Sequence, residues 1–554
     1  MKIKIIYILL AILLVHSIFV IISIGQPFHG DESIWSESAE ALLKTGKPIF
    51  DYGVNNPNYL AIHIPTNVYI ISGFIYLFGY SEYSVRAVSA IFNLLTILLV
   101  YFIILEVLKN NPKKEKWALL AVFLYALNPY TIQSSVLLDV DGGLLNFSLY
   151  LFLYLFIKKK KFWYLIPSLT LIFMTKEVGS LLIFALLISI NLINFNFKKI
   201  FSTLSLFIIS GLIFFLLCVI FSNITGLNLM ETYKMSYFGQ GTSFLDKGDL
   251  FIHLWNFKNF IYSSTPFFSF IFFIFTFIFY YKISKNQKLF KEKEVQNIFL
   301  FNLFAIGIIL FYLFLGGSGW GFPKYHIIAV PAMVIFVTLL LSRSNILTKI
   351  KDKISSNKLA FLLLFLFLLI YFLFLVKDPL IAEFDSTRNN TNPISAAFLI
   401  LKSFTFYFII PLIISIIYIS LLKFKRKILL ALIILTLFTY LYLDILHASV
   451  DYSINFKYGD TGVREVISYV KENNISAEKI ATYMHIGHYI GLSEYYDVSF
   501  VYDYPEIFKK EIVENQSIQY LILWSRDINR IGKNMNYFEL EKQIGSYYIF
   551  RRVD

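Results

Sequence analysis

The sequence predicts a polytopic α-helical membrane protein with a small α/β domain at its C-terminal end. Three observations carry that prediction. Of 554 residues, 57% are hydrophobic and 19% aromatic, while only 15% are charged, against about 25% in an ordinary soluble domain. Apolar runs close to the roughly 20 residues that a spanning helix needs recur from the N-terminus to about residue 446. Residues 447–554 then change to short mixed segments with turn signals between them.

The first run, "MKIKIIYILLAILLVHSIFVIISIG", is longer than the apolar core of a signal peptide and lacks a small-residue cleavage site. It is expected to be a retained first helix. Spans are expected at roughly 4–25, 83–108, 117–138, 142–157, 162–175, 178–196, 200–222, 261–281, 297–315, 327–342, 359–376, 396–421 and 427–446, about thirteen in all. Residues 1–446 thus form a transmembrane domain, with a long first loop at 26–82.

The net charge of +13 does not point to nucleic acid, because no separate basic domain exists. The basic residues cluster instead in "KNNPKKEK", "KKKK", "YKISKNQKLFKEKE", "SRSNILTKIKDKISSNK" and "KFKRK", on alternate loops. Positive loops stay in the cytosol, beside anionic lipid. The N-terminus is then cytosolic, and the first loop and the C-terminal domain are extracytosolic. The single cysteine, Cys218, lies inside an apolar run and excludes an intrachain disulfide.

In the tail, "TGVREVISYVKENN" and "PEIFKKEIVEN" have helical spacing. "KIATYM", "DVSFVYD", "IQYLILWS" and "YYIFRRV" read as strands, so 447–554 is expected to be an α/β domain.

Four polar segments stand on the extracytosolic side. "QPFHGDESIWSESAEALLKTGKP" places His29, Asp31 and Glu32 just after the first helix. Asp31 suits the start of a helix that Gly46 and Pro48 end. Ile34, Trp35, Ala39, Leu42 and Leu43 form its apolar face, which is expected to lie along the membrane surface. Capping accounts for Asp31 but not for Glu32 beside it, nor for His29. A second loop helix, "YLAIHIPTNVYIISGFIYLFG", carries His63, for which an ordinary interfacial histidine is the plain alternative.

"SVLLDVDGGLLNFSLYLF" puts Asp139 and Asp141 at a helix mouth. Carboxylates near a bilayer are costly and commonly functional, and the pair also offers hard oxygen ligands for a divalent cation. Solvated turn residues are the alternative. "FMTKEVGS" supplies Lys176 and Glu177, which either serve a substrate or pair with each other. "GGSGWGFPKYHIIAVPAM" leads through a glycine-rich loop to Lys324 and His326, a seat for a lipid phosphate or a snorkelling cation. Acids and bases gathered on one face suit an enzyme acting on a membrane-embedded substrate, or a transporter.

In order along the chain, "GDESIWSESAEALLKTGKP", "YLFGYSEYSVRAVSAIFNLLT", "NPYTIQSSVLLDVDGGLLNFSLYLF", "LIFMTKEVG" and "FPKYHIIAVPAM" resemble the GT-C glycosyltransferases, particularly the protein O-mannosyltransferase-like and aminoarabinose-transferase-like group. The resemblance is strong over about 1–340 and looser into the tail. In the first loop "NNPNYL" keeps Pro57 and Leu60 but has no Lys or Glu beside the proline, unlike many relatives. The W-W-D-x-G signature of oligosaccharyltransferase catalytic subunits is absent from the chain.

The resemblance implies an inverting transferase. Its donor would be a polyprenyl (dolichyl or undecaprenyl) phosphate sugar, and its acceptor a hydroxyl of a protein, glycan or lipid. It implies Asp31 as catalytic base with Glu32 beside it. Substrate contacts are then expected among His63, Arg86, Asp139, Asp141, Lys176, Glu177, Lys324 and His326. No cofactor is called for by these motifs, and Asp139 and Asp141 are the candidate ligands if a divalent metal ion is used. A lipid-linked sugar flippase and a non-catalytic envelope-assembly subunit are the competing classes.

Overall fold

The computed structural model describes residues 2–25, 27–28, 31–50, 59–60, 65–138, 140–193, 197–229, 266–314, 323–343, 357–376, 402, 405–423, 426–448, 462–491, 494–498, 508–524, 528 and 537–553. Helix α1, Lys2–Ser23, leads into the first loop. The loop holds α2 (Asp31–Thr45), a two-residue antiparallel ribbon of β1 (Ile49–Phe50) and β2 (Tyr59–Leu60), and α3 (Thr66–Phe78). The second loop helix therefore begins at Thr66, after Pro65 and not at Tyr59. His63 lies outside the described residues.

α4 spans Glu82–Val107. Its start is set by Ser81 and Ser84, each hydroxyl accepting from the other's backbone N–H, which satisfies two of the orphan donors of a helix N-terminus. Next come α5 (Lys114–Ala126) and α6 (Pro129–Val136). The expected single span at 117–138 is broken between them. Asn128 caps α6 by accepting from the Tyr130 N–H at 2.9 Å, and Pro129 cannot donate back to α5.

A π-helical turn, Asp141–Leu145, precedes α7 (Asn146–Ile157). Gly142 lets this turn approach α6, since a Cβ there would sit 2.4 Å from the Ser134 Cβ. Helices α8 (Phe162–Phe173), α9 (Glu177–Ile193), α10 (Phe197–Thr225), α11 (Pro266–Lys285) and α12 (Lys293–Phe314) follow. A 3-10 turn, Pro323–Ala329, leads into α13 (Val330–Ser342), and α14 (Lys358–Val376), α15 (Ile410–Leu421) and α16 (Lys427–Ala448) complete the apolar helices.

Among the described residues, four helices are long and apolar enough to cross a membrane, and nine shorter apolar helices accompany them. α10, at 29 residues, is about 43 Å long by its rise, more than a hydrocarbon core of about 30 Å. It leaves Phe201, Ile208, Leu212, Phe215 and Ile224 exposed. Apolar surface of that extent has no place in water, and the chain is a multi-pass membrane protein. Its main core runs between the helices, through Val100, Tyr125, Leu149, Phe301, Met333 and Phe336.

Residues 462–553 include a five-stranded sheet with a separate apolar core around Val466, Ile480, Ile512, Leu521 and Ile549. The elements are α17 (Val463–Glu472), β3 (Ile480–Thr482), α18 (Met484–Gly491), β4 (Tyr496–Asp497), β5 (Tyr520–Trp524), β6 (Phe538–Ile544) and β7 (Tyr547–Arg552). Strand order is β4-β3-β5-β7-β6, with β3 parallel to β4 and β5, and β7 antiparallel to β5 and β6. The expected helix over "PEIFKKEIVEN" is a π-helical turn, Lys509–Val513. The expected strand "DVSFVYD" is paired only at its start, and 499–503 lie outside the described residues.

Candidate functional site

Arg86 lies one turn into α4, at the mouth of the first loop, and is fully buried. A buried guanidinium persists only where its donors are matched. Its Nε donates to Glu32 Oε1 at 2.8 Å and its Nη2 to Glu32 Oε2 at 2.6 Å, the two-pronged geometry that Arg alone provides. Nη1 donates to the carbonyl of Ile24 at 2.8 Å, and Nη2 also to that of Pro27 at 2.9 Å. These carbonyls lie just beyond α1, where a cation complements the helix end. The ring of Phe28 lies 5.3 Å from the guanidinium carbon.

Glu32 is in the first turn of α2 and is 3% exposed. Besides Arg86, its Oε1 accepts from the Leu138 N–H at 2.7 Å. One carboxylate thus joins three separate pieces of chain: α2, the start of α4 and the exit from α6. The apolar face of α2 supports it from behind. Trp35 and Ala39 pack with Val68 and Ile71 of α3, Val85 and Val88 of α4, and Leu138 and Val140. That face, expected against the membrane surface, is largely buried in protein, and only Leu43 stands well exposed, at 44%.

Three residues beyond Leu138, Asp141 opens the π-helical turn, 1% exposed. Its Oδ2 accepts from Lys176 Nζ at 2.6 Å. Lys176 stands in the turn between α8 and α9, itself 7% exposed. Lys176 therefore pairs across the fold with Asp141, a partner that its neighbour Glu177 concealed in the sequence. The π-helical turn packs in turn against the 3-10 turn Pro323–Ala329. Tyr150 of α7 fixes that segment, donating to the Ile328 carbonyl at 2.8 Å and accepting from the Ala332 N–H at 2.9 Å. His326, 1% exposed, faces the edge of Tyr312 with ring centroids 5.7 Å apart.

Of the residues nominated from sequence, Glu32 thus pairs with Arg86 and Asp141 with Lys176, and His326 lies on the 3-10 turn that packs against the π-helical turn opened by Asp141. Asp31 and Glu177 open α2 and α9, and Lys324 lies in the 3-10 turn. The side chains of these three lie outside the described ones, as do His29 and Asp139 entirely. Among the described residues no three His, Cys, Asp or Glu side chains converge as a metal site. Asp141 Oδ2 faces the Lys176 ammonium there, and Asp139, the other candidate ligand, lies outside the described residues.

Sequence reading missed a second layer. Tyr489 of α18 accepts from the Phe28 N–H at 2.7 Å and donates to Glu82 at 3.0 Å. His488 sits 2.9 Å from Glu37 Oε1 through Nδ1 and 2.6 Å from the Tyr80 hydroxyl through Nε2. The Nδ1–H tautomer satisfies both, donating to Glu37 and accepting from Tyr80. Burial pushes the Tyr80 and Tyr489 phenols well above their ordinary pKa, so both keep their protons. These pairs span more than 400 residues, and no local pattern announces them.

Three comparisons bear on this arrangement. Residues 62–222 match the family model described as dolichyl-phosphate-mannose-protein mannosyltransferase. A stretch of 166 residues is 32% identical to dolichyl-phosphooligosaccharide-protein glycotransferase 2 of Archaeoglobus fulgidus, covering 29% of this chain and 27% of that protein. In three dimensions the chain is similar to ArnT from Cupriavidus metallidurans bound to undecaprenyl phosphate. The TM-score is 0.60 at 13% identity, over 99% of this chain and 98% of the other. It is also similar to the Archaeoglobus fulgidus oligosaccharyltransferase tethered with an acceptor peptide. There the TM-score is 0.53 at 14% identity, over 99% of this chain and 74% of that one.

Proposed function

We propose, from the premise that this chain belongs to the GT-C glycosyltransferase fold class, that it transfers a sugar from a polyprenyl phosphate to an acceptor hydroxyl on the extracytosolic face. The observation that carries the reading is the pairing of nominated residues from distant segments into two buried ion pairs, Glu32 with Arg86 and Asp141 with Lys176, Glu32 also holding the Leu138 N–H three residues before Asp141. A structural neighbour bound to undecaprenyl phosphate supports the donor class, and the mannosyltransferase family match over 62–222 supports sugar transfer.

In this reading Asp31 takes the proton of the acceptor hydroxyl. The oxygen then attacks the anomeric carbon from the face opposite the phosphate. The anomeric carbon–oxygen bond breaks, polyprenyl phosphate departs as an anion, and the configuration inverts, as a base on the attacking side requires. Phosphate needs charge stabilisation rather than a proton. Lys324 supplies it, with His326 beside it, and Asp141, paired with Lys176, opens the π-helical turn packed against that segment. Glu32 and Arg86 act by holding α2 against α4, so that the residue next to Glu32 keeps its place.

The test is mass spectrometry of envelope lipids and glycoconjugates from cells with and without the chain. Its loss is expected to accumulate one polyprenyl-phosphate sugar and to remove one glycosylated product. An unchanged set of glycoconjugates would overturn the reading.

A further inference from the structure

α18 reaches from the tail to the membrane domain, and what it touches there flanks the start of α2. Phe28 is fully buried. Its ring stacks on Tyr489, centroids 6.1 Å apart at 22°, and meets His488 edge-on at 5.3 Å. The Arg86 guanidinium carbon lies 5.3 Å from the same ring. Its backbone N–H is bonded to the Tyr489 hydroxyl, which is anchored on Glu82 in the first turn of α4. His488 spans Glu37, five residues beyond Glu32 on α2, and Tyr80, between α3 and α4. Arg464 of α17 donates to the carbonyl of Gly25, just beyond α1.

The tail therefore bonds to both ends of the connection from α1 to α2 and to the entry of α4. α18 is itself firmly seated. Gly487 lies flat on Tyr495, where a Cβ would come within 2.3 Å of ring atoms.

We propose that His488 and Tyr489 are positioning residues of the transfer site, fixing Phe28 and the first turn of α2 against Arg86 so that Asp31 is held for proton transfer. This rests on the transferase reading above. The tail is then a working part of the site and not a separate acceptor-binding module. Neither residue touches substrate. Their effect passes through Phe28 and Glu37, and it falls on turnover more than on binding. A misplaced general base lowers the rate of the chemical step while the donor still binds.

The experiment uses the purified full chain in nanodiscs, with a polyprenyl-phosphate mannose as donor probe. The variants are Tyr489→Phe, His488→Ala, His488→Gln, and Tyr496→Phe as a control. Tyr489→Phe keeps the ring and loses only the oxygen. Gln at 488 keeps one donor and one acceptor. Among the described residues, the Tyr496 hydroxyl is hydrogen-bonded to Ser517, within the tail.

Hydrogen exchange at Phe28 and the first turn of α2 is expected to rise about tenfold in Tyr489→Phe and His488→Ala, the factor that one lost hydrogen bond carries. Turnover is expected to fall about tenfold or more at unchanged donor KM. His488→Gln should recover most of both, and the control should alter neither. Unchanged exchange at Phe28 would overturn the proposal, and so would raised exchange with unaltered turnover, which would leave α18 a docking contact. A wild-type chain that turns over no donor would instead fail the transferase reading. The proposed role would fall with it, and the exchange rates would then report only whether α18 holds Phe28.

Discussion

Substituting Glu32 by Gln removes one charge and little volume, and the structure fixes what that does. Among the described residues, the carboxylate accepts two hydrogen bonds from Arg86 and one from the Leu138 N–H. An amide turns one acceptor into a donor facing a donor and takes from the fully buried Arg86 the carboxylate it grips with two hydrogen bonds. Removing one partner of a buried ion pair costs about 3–5 kcal/mol. Removing both is far less harmful, because no charge stays behind, so Arg86→Met combined with Glu32→Gln should recover most of the loss. The assay is reversible unfolding in mixed detergent micelles for wild type, both single variants and the double. Each single variant is expected to lose at least about 3 kcal/mol, with a coupling of about 2 kcal/mol or more. Additive single losses below about 1 kcal/mol each would refute the reasoning and leave the pair ornamental.

Asp31→Asn keeps any capping ability, since Asn caps about as well as Asp. It should fold at the wild-type melting temperature and lose about 10²–10⁴-fold in transfer. Near-wild-type transfer would move the search for the base to Asp139 and Asp141. Glu32→Gln should lose less transfer per folded molecule than Asp31→Asn. Lys324→Ala should weaken donor use about ten- to a hundredfold, from a charge-assisted contact of roughly 1.5–3 kcal/mol. An unchanged donor KM and rate would leave Lys324 a snorkelling residue. A reporter active only in the cytosol and fused after Asp554 should stay silent, and activity would mean that the number of crossings is even.

How much of this was legible in the sequence depended on the range of the interaction. The span expected at 83–108 is α4 at Glu82–Val107, because a long apolar run with a Ser81–Ser84 capping box needs nothing outside itself. Hydropathy ran straight over Asn128 and Pro129, where backbone chemistry and not polarity ends a helix. It also ran over Gly142 and Gly143, where the chain takes a π-helical turn close against Ser134 and Ser89. α18, "MHIGHYIG", was missed because two glycines and two histidines in eight residues leave no apolar stripe. β6 was missed as an edge strand whose middle five residues are all exposed.

In the site, the sequence nominated the face and the residue types, since charge at a helix mouth is conspicuous. It did not pair them. Glu32 with Arg86 and Asp141 with Lys176 are separated by 54 and 35 residues, and only the packing of the helices makes them neighbours.

The most direct measurement is single-turnover reaction of the purified chain in proteoliposomes with a labelled polyprenyl-phosphate sugar and a hydroxyl acceptor. One polyprenyl phosphate released for each glycoside formed, with inverted anomeric configuration, is the expected result. Donor that crosses between leaflets intact, with no polyprenyl phosphate released, would contradict sugar transfer and leave a flippase in its place.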